Sequence, residues 1–247
     1  MDIHKPKAAH SWREFLIEIG TIICGIVIAL GLEQGVESAH WSERVHEARE
    51  SIHDELALAS VFGEERLARR DCADARLAEL AAAVVASPAQ WRPTSNDYCG
   101  LPHATVYVSR WRPWPTEVWR TIEASGVVAH FDAHYRRQAP FVFAFVNELG
   151  DLSREERRLA NDLAPLDYPI LLTPDSRTAF LRTIAALRAV NGQMAAYTEN
   201  LNGNVRDLGE VPTETDLKKA RAEVPYLFVR PGQLLNRPAG LSAQPKH

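Results

Sequence analysis

The sequence predicts a mainly α-helical protein, in which an N-terminal transmembrane helix continues into a stalk helix and then an extracytoplasmic helical bundle. Three observations predict this fold class. An apolar run lies near the N-terminus, leucine and alanine dominate the interior-type residues, and β-branched alternation is scarce along the 247-residue chain. Helix start and stop signals divide the remainder into four or five helices, which suggests a bundle.

The apolar run, residues 15–32, contains a single charge, Glu18, and its 18 residues are near the lower limit for a membrane span. We predict a transmembrane helix over residues 14–35. Two alternatives remain open. A cleavable signal peptide would use the small residues at 29–31, and a buried helix of a soluble protein would suit the strictly uncharged residues 19–32.

The charges on either side of this run predict the topology. The first 13 residues carry three lysines or arginines against one aspartate, whereas the residues after the run are rich in glutamate. By the positive-inside rule, residues 1–13 form a cytoplasmic tail and residues 36–230 form a periplasmic helical domain, followed by a loosely ordered tail at 231–247. The predicted location is the bacterial inner membrane, with the N-terminus in the cytoplasm.

The predicted membrane helix has two faces of small or polar residues. One face contains Glu18, Gly25 and Ala29, and the other contains Gly31 and Gly35. A carboxylate in a bilayer faces protein or water rather than lipid, and small residues let helices approach closely. We therefore expect packing against other transmembrane helices, in a hetero-complex or a homodimer. In the alternative interpretation, Glu18 reaches the cytoplasmic interface and the glycines are incidental.

The stalk helix is predicted to end near residues 87–88, because apolar residues recur every three or four positions up to that point. Residues 88–115 form an excursion rich in proline and tryptophan, with one plausible strand at 104–109. We expect the excursion to cover the core, and a recognition surface is the alternative.

Local signals place the later helices. Four residues are candidate N-caps: Thr116, Asp132, Thr173 and Thr213. Gly126 is expected to end the first of these helices, and Pro140 to kink or split the second. The capping-box spacing at residues 153–156 predicts a further helix start, and the helix after Thr173 is expected to reach about residue 206.

Cys72 on the stalk and Cys99 in the excursion are predicted to form a disulfide, because both would lie in an oxidising compartment. The chain-entropy treatment gives such a crosslink roughly 3–4 kcal/mol. The competing interpretation is two unrelated buried thiols. The sequence has no zinc-type cysteine spacing.

His130 and His134 have metal-like spacing, but Asp132 between them is expected to begin a helix, so they would not share a face and we predict no metal site. His46 and His53 are interpreted as surface residues. The chain has no nucleophile motif, phosphate-binding glycine loop or basic stripe. We therefore expect no enzymatic activity, no cofactor and no nucleic-acid partner.

The passage SWREFLIEIGTIICGIVIALGLEQGVESAHW, leading into EARESIHDEL, resembles the opening of a group of uncharacterised single-pass membrane proteins of alphaproteobacteria. The similarity extends to EVWRTIEASGVVAHF and spans most of residues 11–150. The resemblance implies an inner-membrane protein with a periplasmic helical domain, and it implies no activity and no catalytic residue.

The expected function is that of an accessory or scaffolding subunit of a membrane protein complex. The alternative is a periplasmic ligand-sensing bundle that signals through a partner, because a helical bundle can hold a small molecule between its helices.

Overall fold

A computed structural model describes residues 12–93, 99 and 106–223, apart from the side chain of Glu14. Within these residues the α-helices are α1 Trp12–Ala86, α2 Glu117–Ala124, α3 Ala133–Asp162, α4 Pro174–Leu208 and α5 Glu214–Glu223. The short elements are the 3-10 helices Val127–His130 and Ala164–Asp167 and the strands β1 Gln90–Trp91 and β2 Ile170–Leu171. The residues that the structure describes are about 82% helical, which confirms the mainly α fold class.

The first helix, α1, is a single helix of 75 residues that begins in the apolar run and ends inside the bundle. It is long and apolar enough to cross a membrane, with a mean hydropathy of 2.5 in its most apolar window, none of which is buried. We call residues 15–32 the apolar segment. From Ala48 onward one face of α1 is buried, and Ile52, Leu56 and Leu77 on it are fully buried. The predicted stalk is therefore short, because most of it belongs to the bundle.

The bundle is formed by α1, α3 and α4, and the contacts along α1 show their directions. Tyr135 in α3 lies against Arg49, and Glu156 pairs with Arg66, so α3 runs parallel to α1. Arg188 in α4 pairs with Asp74 of α1, and Glu210, just after α4, pairs with Arg49 of α1. Later residues of α4 therefore lie beside earlier residues of α1, so the two helices are antiparallel. The apolar segment leaves from what we call the proximal end, where residues 124–132 and 209–213 also lie.

The long helix α3 corrects two sequence-based predictions. It runs as one helix from Ala133 to Asp162, so a split at Pro140 and a new helix start at Ser153 are both wrong. An interior proline lacks the N–H of the hydrogen-bond ladder and crowds the preceding turn, but the fully buried neighbours Ala139 and Val142 keep this part of the helix packed in the bundle. Ser153 and Glu156 point into the bundle and are only 1% and 2% exposed, because they continue the inward face that begins with Val146 and Leu149.

Residues 106–116, which we call the strap, have no regular secondary structure and lie along α1, from Arg76 at one end to Phe62 at the other. The predicted strand at 104–109 is wrong for its described part, because residues 106–109 belong to no strand. Side chains hold its first backbone groups instead. The Asp167 carboxylate accepts from the Val106 N–H at 2.6 Å, and Arg76 Nε donates to the Val106 carbonyl at 3.1 Å.

The caps show which local predictions hold. Asp132 accepts from the Tyr135 N–H at 2.9 Å, and Thr173 forms a reciprocal capping box with Ser176. Thr116 precedes α2 without a side-chain capping bond. The Glu55 carboxylate of α1 caps α2 instead, accepting from the backbone N–H groups of residues 118 and 119 at 3.0 and 3.1 Å. Gly126 lies two residues after the end of α2 and has a φ of 78°, a backbone conformation that favours glycine.

Candidate functional site

The apolar segment is exposed along its whole length. Within the described part of the chain, no atom comes within 4 Å of a Cβ built on Gly25, Gly31 or Gly35. Glu18 and Ala29 are likewise exposed, and no described side chain pairs with Glu18. Because α1 is continuous, Glu18, Gly25 and Ala29 share one side of it at spacings of seven and four residues. The described part of the chain therefore leaves these small and polar positions uncovered.

The two cysteines that were predicted to form a disulfide do meet in the structure. Cys72 in α1 and Cys99 lie within disulfide-bonding distance, with their Cα atoms 5.7 Å apart across 27 residues of sequence. This separation is typical of disulfides. The pair ties the excursion to the outer half of α1, and a disulfide indicates an oxidising compartment. Cys24, in the apolar segment, is exposed and free.

A buried polar network crosses the centre of the bundle. Glu156 Oε1 accepts from Arg66 Nη1 and from the Tyr107 hydroxyl, both at 2.8 Å, and Oε2 accepts from the Ser109 hydroxyl at 3.1 Å. Arg66 Nη2 also donates to the Asn191 side-chain oxygen at 2.9 Å. These hydrogen bonds join α1, α3, α4 and the strap at one level. The ion pair is only 9% and 2% exposed, so its charges need one another.

A second carboxylate fastens the strap at a neighbouring turn of α1. Both Glu65 oxygens accept from Arg112, at 2.8 Å each, and Arg110 adds a contact of 3.2 Å. Trp114 packs edge-on to Phe62 at a centroid distance of 6.0 Å. The strap therefore covers the core, as the sequence predicted for the excursion.

His53 joins three elements at the proximal end, so its interpretation as a surface residue is wrong. Its Nδ1 is 3.0 Å from Glu210, and its Nε2 is 3.2 Å from Asp216, while Arg49 also pairs with Glu210. Burial lowers the pKa of His53, but hydrogen bonds and charges from Asp216 and Glu210 outweigh it and raise the pKa above 6.5. An open cleft of about 610 Å³ adjoins this cluster, with Lys219 on its rim.

His130 and His134, the two histidines with metal-like spacing, contact different partners. His130 stacks on Trp41 with ring centroids 3.8 Å apart, while His134 Nε2 lies 2.8 Å from the Asp207 carbonyl. Asp132 between them caps α3, as predicted, which separates the two rings. No group of three potential metal ligands occurs among the residues that the structure describes.

Comparison with protein-family models, curated proteins and solved structures finds no match to this chain. The polar network at Glu156 and the cluster at His53 were missed by sequence reasoning, because their partners lie 47 to 163 residues away. For Glu156 a signal existed, since it continues the apolar face of α3.

Proposed function

We propose that the protein is anchored in a bacterial inner membrane by the apolar segment, and that it serves as an accessory or scaffolding subunit of a membrane protein complex. The observation that carries this proposal is the uncovered side of the apolar segment. Glu18, Gly25 and Ala29 align on a helix that no described part of the chain covers. In a bilayer, a carboxylate and small residues in one line favour contact with another helix over contact with lipid.

The charges next to the segment favour a different protein as the partner over a second copy of this chain. Glu43, Glu47 and Glu50 continue the same side of α1 as Glu18 and Ala29, and all three are exposed. A symmetric dimer through this side would place these carboxylates opposite one another, and like charges in an interface are unfavourable. A partner with lysine or arginine at this level would complement them.

A ligand-sensing domain remains the second candidate, and the cleft beside His53 is the observation in its favour. This cleft contains both acidic and basic side chains. It is open at the surface, whereas Ile184, Leu187 and Leu201 of α4 fill the bundle interior. Sensing would therefore occur at the proximal surface, next to the membrane, and not between the helices.

The first experiment is purification of the full chain from its own membranes in a mild detergent, with mass spectrometry of every component that co-elutes stoichiometrically. A subunit should elute with a defined set of partners. A monomer, or a homodimer alone, would contradict the subunit proposal, and a bound small molecule would support the sensor. Digestion of the bundle by a protease added to spheroplasts tests the proposed periplasmic location.

Paired variants locate the contact. Gly25→Leu should reduce the size of the complex, because the new side chain meets only a partner. In the isolated chain it meets nothing, and replacing a helical glycine is favourable by roughly 1 kcal/mol. Leu30→Phe is the control, because Leu30 is exposed and lies midway between the two faces of small residues, in the bulky sector expected to face lipid; it should leave the complex unchanged. Glu18→Leu should disturb assembly without affecting membrane insertion, and equal complexes for all three variants would refute this assignment.

A further inference from the structure

The short helix α5 packs on α1 through a small apolar contact. Its buried side chains Leu217 and Ala220 lie against Ala57, Val61 and Phe62 of α1, in a cluster that is separate from the main core. Helices shorter than roughly 12–15 residues are marginal by themselves in water, and α5 has 10 residues. We therefore expect residues 214–223 to stay helical only while they are docked on α1.

Polar contacts join α5 to α1 at three levels among the residues that the structure describes. Two of them are ion pairs between side chains that are 41–55% exposed: Lys219 with Asp54, and Arg221 with Glu64. Exposed ion pairs contribute little to stability. The third contact joins His53 to Asp216 in the first turn of α5, and these side chains are only 27% and 26% exposed. His53 therefore makes the best protected of the three contacts.

Both ring nitrogens of His53 face a carboxylate. Nε2 lies 3.2 Å from Asp216, and Nδ1 lies 3.0 Å from Glu210 in the connection between α4 and α5. A neutral imidazole has one N–H donor and one lone pair, whereas an ionised carboxylate only accepts. The neutral ring can therefore bond to one carboxylate and must direct its lone pair at the other. Only the protonated ring donates to both.

Hydrogen bonds from other groups keep the two carboxylates ionised. The hydroxyl and the N–H of Thr213 donate to Asp216, which lowers the pKa of this carboxyl to about 2. Arg49 of α1 donates to Glu210 through Nε and Nη2, at 3.3 and 3.1 Å, and a charged donor favours the ionised carboxylate. The proton between these groups therefore belongs to His53.

The other charged groups around His53 do not supply a second positive charge in its place. In α3, burial raises the pKa of the Tyr135 hydroxyl, which stays uncharged, and Asp132 attracts Arg49. The remaining neighbours pair with one another: His46 with Glu50, and Asp54 with Lys219. The protonated ring and Arg49 thus balance Glu210 and Asp216, and loss of the proton leaves a negative charge uncompensated.

We propose that His53 is a proton-binding switch that holds α5 on α1 when its ring is protonated and releases α5 when the ring is neutral. The cleft beside His53 is open to solvent, so the ring can exchange its proton with the surroundings. Release would uncover Ala57 and Val61 of α1, which are 1% and 2% exposed while α5 is docked. The switch lies outside the apolar segment and is independent of the partner proposed for that segment.

The test is hydrogen exchange of the full chain in detergent, followed by mass spectrometry between about pH 5.5 and about pH 8.5, a range that brackets the ordinary pKa of histidine. Protection factors of residues 217–223 report the docking of α5, because they divide out the exchange rate of free amides. Between the pKa values of His53 in the released and docked states, the released fraction should rise about tenfold per pH unit. Residues 187–201 of α4 should stay far better protected at each pH, because they exchange only when the bundle unfolds.

His53→Gln keeps an N–H donor but cannot bind a proton in this range, so the protection of α5 should become independent of pH. His46→Gln is the matched control, because His46 lies in the same helix and pairs with Glu50 at the surface. It should keep the pH dependence. The proposal would be overturned by pH-independent protection of α5 in the parent, by the same pH dependence in His53→Gln, by its loss in His46→Gln, or by equal protection of α5 and α4.

Discussion

Replacing Glu156 with alanine tests whether the central ion pair holds the bundle together. The substitution keeps a good helix former in α3 but leaves Arg66 charged and buried, and it removes the acceptor of Tyr107 and Ser109. Removing one partner of a buried pair typically costs about 3–5 kcal/mol. For a chain of this size, each kcal/mol shifts the unfolding midpoint by roughly 2–4 °C. We expect Glu156→Ala to lower the midpoint by about 6–20 °C.

Glu155→Ala is the matched control. Glu155 precedes Glu156 in the same helix, but it pairs with Arg158 at the surface, where ion pairs contribute little. Thermal unfolding of the full chain in detergent, followed by tryptophan fluorescence, should therefore separate the two variants clearly. Because the fully buried pair costs little when both charges are removed together, Arg66→Met with Glu156→Leu should recover much of the loss. Equal midpoints for Glu155→Ala and Glu156→Ala would refute the importance of the network.

Three further predictions concern other parts of the bundle. Non-reducing mass spectrometry should find a crosslinked peptide containing Cys72 and Cys99, and reduction should cost roughly 3–4 kcal/mol of stability; two free thiols would contradict the disulfide. The pKa of His53 is raised in the folded state, so its contribution to stability is full below about pH 6.5 and is lost as the pH rises through its pKa in the folded protein. His53→Gln should remove this part of the pH dependence of unfolding. An unchanged pH profile would refute the prediction. Gly63→Ala should destabilise the protein, because the new Cβ would lie 2.8 Å from Thr198 Cγ2 across the α1–α4 contact. Overpacking of this kind costs about 1–3 kcal/mol, which the better helix propensity of alanine offsets in part. A variant as stable as the parent would show that α4 moves to make room.

The sequence predicts the parts of the fold that depend on local signals. The apolar segment is evident from composition. The starts of α3 and α4 follow from Asp132 and Thr173, whose side chains bond within their own first turns. The pairing of Cys72 with Cys99 follows from the small number of cysteines and their expected compartment.

Parts that depend on distant contacts were predicted wrongly or missed. Ser153 and Glu156 have the spacing of a capping box, and the same spacing also suits two inward positions of one continuous helix. Val146 and Leu149 precede them on the same buried face, which favours one continuous helix. His53 gives no such signal, because its partner Glu210 lies 157 residues further along the chain.

The unbroken first helix has a mechanical consequence. From Trp12 to Ala86 it measures about 110 Å at a rise of 1.5 Å per residue, and no loop interrupts it. With a pivot near residue 34, one degree of tilt would move the far end of α1 by about 1.4 Å, a figure that follows from the same rise. Axial rotation would turn the whole bundle through the same angle. In the proposed arrangement, a partner that reorients the apolar segment would therefore act on a lever, and the bundle would report that movement at a distance.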